Sequence, residues 1–162
     1  WMVLDRIAER ETLFWQSKFR GFYAKSLAPG NTILLKPDIY MNLAGQSLAP
    51  AAAFFRIEPQ NILVCHDDIE LDFGTAALKS GGGSAGHNGL RSIEKLLGSN
   101  SFFRFRIGIS RPHRGNVDSH VLGRFSPDEE AVLPLYMKLA AEKLILAVQE
   151  RHEAPSVYRL LP

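Results

Sequence analysis

Blocks of apolar and polar positions along the chain predict alternating strands and helices. The clearest strand is 102–110, where apolar side chains occupy every second position and Arg104 and Arg106 lie between them. The continuous apolar run 61–65 is typical of a short strand that is covered on both faces. Further strands are expected at 19–28, 31–36 and 74–79, the first two joined at the turn dipeptide Pro29-Gly30.

Helical spacing of apolar residues marks the segments between the strands. The chain opens on such a stripe at Trp1, with no capping residue before it. A second helix is expected at 47–57, with Pro50 in its first turn, and a third at 89–97. The longest starts at the capping box 126–129. Together these elements predict one α/β domain over residues 1–162, a single domain with a twisted mixed β-sheet flanked by helices.

Composition narrows the class of protein. Hydrophobic residues make up 46% and charged residues 22% of the 162 positions, which is typical of one globular domain rather than a disordered chain. The longest apolar runs are too short to span a bilayer, so no membrane partner is expected. The single cysteine, Cys65, cannot form an internal disulfide, which favours a reducing, cytoplasmic compartment.

Charge is unevenly distributed although the net charge is only +2. Eight basic residues lie between positions 76 and 125 against two acidic ones, whereas positions 67–72 hold four acids and no base. A basic half beside an acidic corner favours a phosphate-bearing partner next to a catalytic pocket. Solvated surface charge is the alternative that composition leaves open.

The glycine-rich loop Gly81-x-Gly83-x-x-Gly86 formally matches a dinucleotide-binding fingerprint. About twenty residues further on, however, the chain has arginines where that fingerprint requires an acidic residue for the ribose. No nucleotide cofactor is therefore expected. The glycines still let backbone N–H groups approach a ligand, and His87 and Asn88 would sit at a helix N-terminus that attracts negative charge. A simple N-cap role for Asn88 is equally open.

The cluster His66-Asp67-Asp68 follows the apolar run 61–65. It could be half of a metal site, completed by a later histidine (His87, His113 or His120). Adjacent residues of a strand point to opposite sides, however, and no His-x-x-x-His motif or cysteine pair supports a metal. An aspartate at a strand end more often orients a histidine or a water, as in catalytic triads. These features favour a hydrolase, and a plain turn or cap role is the default expectation for Asp68 and Asp72.

Six blocks of the sequence, taken in order and spacing, resemble bacterial-type peptidyl-tRNA hydrolases. They are Tyr-Met-Asn-Leu-Ala-Gly at 40–45, Phe-Phe-Arg-Ile at 54–57, Ile-Leu-Val-Cys-His-Asp-Asp at 62–68, Gly-Gly-Gly-Ser-Ala-Gly-His-Asn-Gly-Leu at 81–90, Phe-Arg-Ile-Gly-Ile at 105–109 and Val-Leu-Gly at 121–123. The resemblance implies a monomeric α/β esterase that needs no metal or other cofactor. It would cleave the ester between a peptide and the 3′-terminal ribose of tRNA, and so recycle tRNA from aborted translation.

The resemblance also implies roles for individual residues. Asp67 corresponds to the aspartate that orients the catalytic histidine and stabilises its charged form. Asn42 and Asn88 correspond to asparagines that hold the substrate backbone and the attacking water. The remaining correspondences concern tRNA and substrate binding: Tyr40 and Met41 beside the tRNA end, Lys79 and Arg106 as a phosphate clamp, and His87 as a family histidine that is not the base.

One block of the family is absent from this sequence. The family's catalytic histidine belongs to a His-Asn-x-Gly block just before the helix with which this chain opens at Trp1. We therefore expect an upstream segment that supplies this histidine and a further strand, and little activity from 1–162 alone. Two alternatives stay open: a non-catalytic RNA-binding relative that lost its base, and an unrelated metal-dependent hydrolase.

Overall fold

The computed structural model describes residues 1–26, 31–112, 115–149 and 155–161. The expected turn Pro29-Gly30 and the candidate metal ligand His113 lie outside the described residues. The helices are α1 (Met2–Arg10), α2 (Gly45–Phe55), α3 (Asn88–Leu97), α4 (Val117–Val121) and α5 (Pro127–Gln149), with 3-10 turns at Met41–Leu43 and Pro59–Asn61. The strands are β1 (Gln16–Lys18), β2 (Gly21–Ser26), β3 (Thr32–Pro37), β4 (Leu63–Asp68), β5 (Thr75–Ser80), β6 (Phe103–Gly108) and β7 (Ser156–Arg159).

The strands form two sheets within the described ranges, where the sequence predicted one. Strands β1, β2 and β3 form an antiparallel meander, and the second sheet has the order β4-β6-β5-β7. In the second sheet β4 runs parallel to β6, whereas β5 is antiparallel to both of its neighbours. The predicted mixed α/β class is therefore confirmed, and the mixed sheet is the one that carries the polar clusters.

Helices cover both faces of the mixed sheet. Helices α1 and α5 pack on the face that presents Phe105 and Ile107, and Tyr136 is fully buried there. The Tyr136 hydroxyl donates to the carbonyls of Thr75 and Gly108 at 2.6 and 2.9 Å, and burial raises the pKa of this phenol. Helices α2 and α3 cover the opposite face around Phe102. None of the helices in the described ranges combines the length and apolar character that a membrane span requires.

The starts predicted for helices α5 and α2 had opposite outcomes. The capping box of α5 is confirmed: the Ser126 N–H donates to Glu129 Oε2 at 2.8 Å, and the Glu129 N–H donates back to Ser126 Oγ at 3.3 Å. The prediction that Pro50 lies in the first turn of its helix was wrong. Helix α2 begins at Gly45, because the 3-10 turn Met41–Leu43 leads directly into it, and this places Pro50 in the helix interior.

Strand β4 extends beyond the apolar run on which it was predicted. It continues through His66, Asp67 and Asp68, which pair with Arg106, Ile107 and Gly108 of β6. Polar side chains do not interrupt backbone pairing, so the hydrophobic pattern ended before the strand did. Cys65 lies within this strand against the core of α1 and α5, and burial raises the pKa of its thiol to about 12.

Candidate functional site

The C-terminal end of β4 meets the N-terminus of α3 at a contact between Asp67 and His87. The His87 Nε2–H donates to Asp67 Oδ1 at 3.3 Å. The glycine loop brings these residues together: Gly81, Gly82 and Gly86 have positive φ angles of 57°, 98° and 84°, which glycine adopts without strain. The loop closes with the His87 N–H donating to the Ser84 carbonyl at 2.8 Å. The two polar motifs singled out in the sequence are thus one site.

His87, rather than Asn88, caps α3. Its Nδ1 accepts a hydrogen bond from the Leu90 N–H at 3.2 Å, so the cap role that the sequence left open for Asn88 belongs to His87. A neutral imidazole has one N–H and one lone pair, so accepting at Nδ1 requires the proton to be on Nε2. Both nitrogens of His87 are occupied, and neither is free to take a proton from water. Asn88 is the first helical residue and its side chain is exposed.

Asp67 is ionised at neutral pH. Burial by itself would raise the pKa of this carboxyl, but the hydrogen bonds that it accepts from His87 and from the backbone lower it, and its pKa lies below the ordinary value. About a third of the side chain is still exposed, at 32%. Asp67 can therefore accept a further hydrogen bond at the open side of the site.

The neighbouring His66 is a neutral imidazole. Its Nδ1–H donates to the backbone carbonyl of Asp67 at 2.6 Å, and burial lowers its pKa to about 4. Its Nε2 is buried and has no hydrogen-bond partner in the described part of the chain. The His66 ring meets the His87 ring edge-on, with centroids 5.0 Å apart. Both histidines of the polar motifs therefore belong to the same cluster.

The 3-10 turn Met41–Leu43 is fixed against the start of α3. The Met41 side chain rests on Gly89, where an added Cβ would lie only 2.6 Å from Sδ. One turn further along, the Gly45 N–H donates to Ser92 Oγ at 3.1 Å, so α2 and α3 approach closely. These contacts bring the segment 40–42 to the His87–Asn88 end of α3. Tyr40, Met41 and Asn42 are exposed at its surface, Tyr40 to 83%.

Three cations share the α3 side of the mixed sheet. Lys79 of β5 pairs in register with Arg104 of β6, and Arg106 lies two residues further along β6. Arg106 Nε donates to Asp68 Oδ2 at 2.7 Å. Burial would raise the pKa of Asp68, but this hydrogen bond, a second one from the Glu70 N–H and the arginine charge hold it below its usual range. Arg106 is therefore not a free cation, although its terminal N–H groups are not used in this pair.

Lys79 differs from the two arginines because it has no ion-pair partner among residues 1–26, 31–112, 115–149 and 155–161. A Cβ at Gly82 would lie 3.2 Å from its Nζ, so the ammonium group sits beside the glycine loop. The predicted pair Lys79 and Arg106 thus lies on one surface as expected.

Within the described ranges, no three His, Cys, Asp or Glu side chains are grouped so that they could hold a metal ion.

Comparison with known proteins assigns the chain to a family. The family model described as peptidyl-tRNA hydrolase matches residues 1–159. The chain belongs to the peptidyl-tRNA hydrolase family. It is 44% identical over 151 residues to the peptidyl-tRNA hydrolase of Trichlorobacter lovleyi, covering 92% of this chain and 78% of that protein. It is 42% identical over 156 residues to the peptidyl-tRNA hydrolase of Gluconobacter oxydans, covering 94% and 82%.

Solved structures agree with this assignment. The crystal structure of peptidyl-tRNA hydrolase from Acinetobacter baumannii superposes with a TM-score of 0.78 at 31% identity, covering 99% of this chain and 85% of that one. Membership of the peptidyl-tRNA hydrolase family confirms the bacterial-type resemblance, the enzyme class and the reaction that the six blocks predicted. Nothing in these comparisons favours the non-catalytic RNA-binding relative.

Sequence reasoning overlooked two residues of the site, Arg104 and Glu94. The alternation along 102–110 placed Arg104 on a polar face, but the side chain is only 3% exposed. The sequence carries only half of the signal, the strong apolar stripe of α3, and the fold supplies the other half by placing this helix on that face of the strand. A polar residue beneath an amphipathic helix is buried, and a buried arginine requires a partner.

Proposed function

We propose that this peptidyl-tRNA hydrolase cleaves its ester in the cleft between the end of β4, the start of α3 and the segment 40–42. Water attacks the ester carbonyl that joins the peptide to the 3′-terminal ribose, and the ribose oxygen leaves. The products are a free peptide and a tRNA that can be charged again. The observation that carries this proposal is the ionised, partly exposed Asp67 beside imidazole at the mouth of the cleft.

In this mechanism Asp67 holds an imidazole in the correct tautomer and stabilises it once it has taken the proton of water. Neither described imidazole of the cluster is suited to that proton transfer. The lone pair of His87 accepts the Leu90 N–H, and His66 is buried with a pKa of about 4. The sequence contains no His-Asn-x-Gly block, which is where the family resemblance puts the base. We therefore assign to Asp67 the orientation of that family histidine, and to His87 a supporting role.

The asparagines supply the amide groups of the cleft. The exposed side chains of Asn42 and Asn88 offer donors and acceptors to the peptide backbone, to the attacking water and to the oxyanion that develops on the carbonyl. The helix N-terminus beneath Asn88 adds a favourable field for negative charge. Both residues are thus proposed as catalytic contacts.

Binding of tRNA is assigned to the adjoining surface. Lys79 and the unused N–H groups of Arg106 are placed to contact backbone phosphate, and Tyr40 and Met41 to contact the terminal nucleotide. Contacts to phosphate rather than to bases suit an enzyme that acts on many tRNAs. We further propose that the enzyme is a cytoplasmic monomer, as the family resemblance and the single cysteine favour. We also propose that it needs no metal or cofactor, because a carboxylate-oriented imidazole can activate water without either.

The proposal is tested by comparing two substitutions, each made in a full-length enzyme that carries the His-Asn-x-Gly block, in a peptidyl-tRNA hydrolysis assay. Asp67→Asn should lower kcat by orders of magnitude, as in triads whose aspartate is neutralised, with little change in tRNA affinity. His87→Asn keeps a good helix cap and removes the imidazole, and should lower kcat far less. Loss of all activity in a folded His87→Asn variant would instead identify His87 as the base. Wild-type turnover in Asp67→Asn would remove Asp67 from the mechanism.

A further inference from the structure

The guanidinium of Arg104 lies beneath the glycine loop and is almost completely buried, with 3% of the residue exposed. Its Nη1 donates to the carbonyl of Gly83 and its Nη2 donates to the carbonyl of Gly82. The same Nη2 pairs with Glu94 Oε1 at 2.8 Å. One side chain of β6 therefore holds two consecutive loop carbonyls and a carboxylate of α3.

Because Arg104 is buried, its guanidinium requires these contacts. A cation removed from water is unfavourable unless opposite charge and acceptors replace its hydration. Glu94 supplies the charge and the two carbonyls supply acceptors, whereas Nε is buried without a partner in the described ranges. An arginine in such a position cannot also meet a tRNA phosphate. Its role differs in this respect from those of Lys79 and Arg106 on the same sheet face.

The loop has few other restraints. A Cβ at Gly83 or at Gly86 would meet no atom of the described chain within 4 Å, so the loop is not packed at these positions. Two main-chain hydrogen bonds anchor it. The Gly81 N–H donates to the carbonyl of Phe102 at 3.1 Å, and the His87 N–H donates to the carbonyl of Ser84. Between these two points the carbonyls are held by the planar fork of Arg104, which matches paired acceptors better than an ammonium group does.

We propose that Arg104 is a positioning residue for peptidyl-tRNA hydrolysis, acting through the glycine loop on His87 and Asn88. The loop ends at His87, and Glu94 lies on the same helix as Asn88, so the fork of Arg104 fixes the loop and the helix relative to β4 and Asp67. This inference rests on the roles proposed above for Asp67 and Asn88. Arg104 itself touches neither substrate nor the reacting atoms.

The experiment uses four variants of the full-length enzyme that carries the His-Asn-x-Gly block. Arg104→Met removes the charge, Arg104→Lys keeps the charge without the fork, and Glu94→Gln keeps an acceptor without the charge. Arg111→Met is the matched control, because it also breaks an arginine–glutamate pair, but an exposed one with Glu70 away from the loop. Each variant is examined by thermal unfolding, by hydrogen exchange of amides 81–88, and by kcat and KM for peptidyl-tRNA.

We expect Arg104→Lys to unfold cooperatively, to exchange amides 81–88 faster, and to lose kcat by about tenfold to a hundredfold with KM nearly unchanged, since small misplacements of catalytic groups have such effects. Glu94→Gln should show the same pattern more weakly. The control should match wild type in all three measurements, because exposed ion pairs contribute little. If Arg104→Met does not fold, Arg104→Lys and Glu94→Gln still decide the question.

The outcomes separate this inference from the proposed mechanism. Unchanged exchange of amides 81–88 in a folded Arg104→Lys variant would overturn the positioning role, whatever the activity. Faster exchange with wild-type kcat would also overturn it, since the loop would then move without consequence for the reaction. A failure of the mechanism itself would appear instead as wild-type kcat in Asp67→Asn, because Asp67 contacts the His87 side chain and not the carbonyls of Gly82 and Gly83 that Arg104 holds.

Discussion

Arg106 and Asp68 form an ion pair across β6 and β4, with Arg106 Nε 2.7 Å from Asp68 Oδ2. The pair lies on the same sheet face as Lys79, which has no ion-pair partner in the described part of the chain. A carboxylate therefore stands next to a cation that is proposed to bind phosphate. Asp68 offsets the charge of Arg106 and would repel the phosphate that Lys79 is proposed to bind.

Neutralising Asp68 should therefore strengthen tRNA binding. Asp68→Asn keeps an acceptor for the Glu70 N–H and removes the negative charge, so tRNA affinity at low salt should rise by about fivefold, equivalent to roughly 1 kcal/mol of removed repulsion. The measurement is a salt titration of tRNA binding. Glu70→Gln is the control, since it makes the same change in net charge at an exposed residue of the same segment. Equal gains in both variants would point to net charge alone.

Lys79→Ala should weaken tRNA binding in a salt-dependent manner. Removing one phosphate contact flattens the plot of log affinity against log salt by just under one unit. KM for peptidyl-tRNA should rise, whereas a small ester substrate without that phosphate should be hydrolysed at the wild-type rate. Lys95→Ala, which removes an exposed lysine from the last turn of α3, is the control. A wild-type slope for Lys79→Ala would place Lys79 outside the interface.

The observed capping of α3 separates stability from catalysis at two adjacent residues. His87→Ala removes the cap and should lower the free energy of unfolding by about 1 kcal/mol. Asn88→Ala should change it by less than about 0.5 kcal/mol, as exposed substitutions usually do, but should lower kcat by about a hundredfold if Asn88 stabilises the oxyanion. Denaturant unfolding and steady-state kinetics on both variants test this. A stability loss confined to Asn88→Ala would contradict the assigned cap.

Acid should destabilise the fold through His66. Its pKa falls from 6.5 to about 4 on folding, so the unfolded chain binds more protons between these values. Stability is therefore fully present above pH 6.5 and is lost as the pH falls towards 4, by at most about 3 kcal/mol at 1.36 kcal/mol per unit. Asp67 and Asp68, whose pKa values are lowered, add a further loss at lower pH.

Urea unfolding at several pH values between 7 and 4 measures the effect. His66→Gln should flatten the dependence in this window, while His120→Gln, at a histidine that donates to the carbonyls of Ile109 and Ser110, should preserve it. An unchanged slope in His66→Gln would assign the acid sensitivity to other groups.

Features that depend on nearby residues were predictable from the sequence. The capping box at Ser126 and Glu129 needs only residues within one helical turn, and β6 shows the alternation that predicted it. The position of Arg106 on the polar face of β6 followed from the same alternation, whereas its pairing with Lys79 came from the family resemblance. The short strands β1 and β7 had no comparable pattern and were not predicted.

Features that depend on distant partners were not predictable in this way. The burial of Arg104 is decided by Glu94 and by the carbonyls of Gly82 and Gly83, which reach it only after the sheet and α3 have assembled. The cap of α3 shifted from Asn88 to His87 because Asp67, twenty residues earlier, fixes the imidazole in the tautomer whose Nδ1 can accept. Both the burial of Arg104 and the capping by His87 depend on tertiary contacts, which patterns of neighbouring residues do not contain.

The close contact of Met41 with Gly89 has a consequence for the dimensions of the cleft. The thioether rests directly on the backbone of the first turn of α3, and even one methyl group at residue 89 would collide with it. Any side chain there would displace the Met41 thioether from the end of the helix that carries Asn88. The contact between the two walls of the proposed cleft therefore depends on a residue that offers the substrate no functional group.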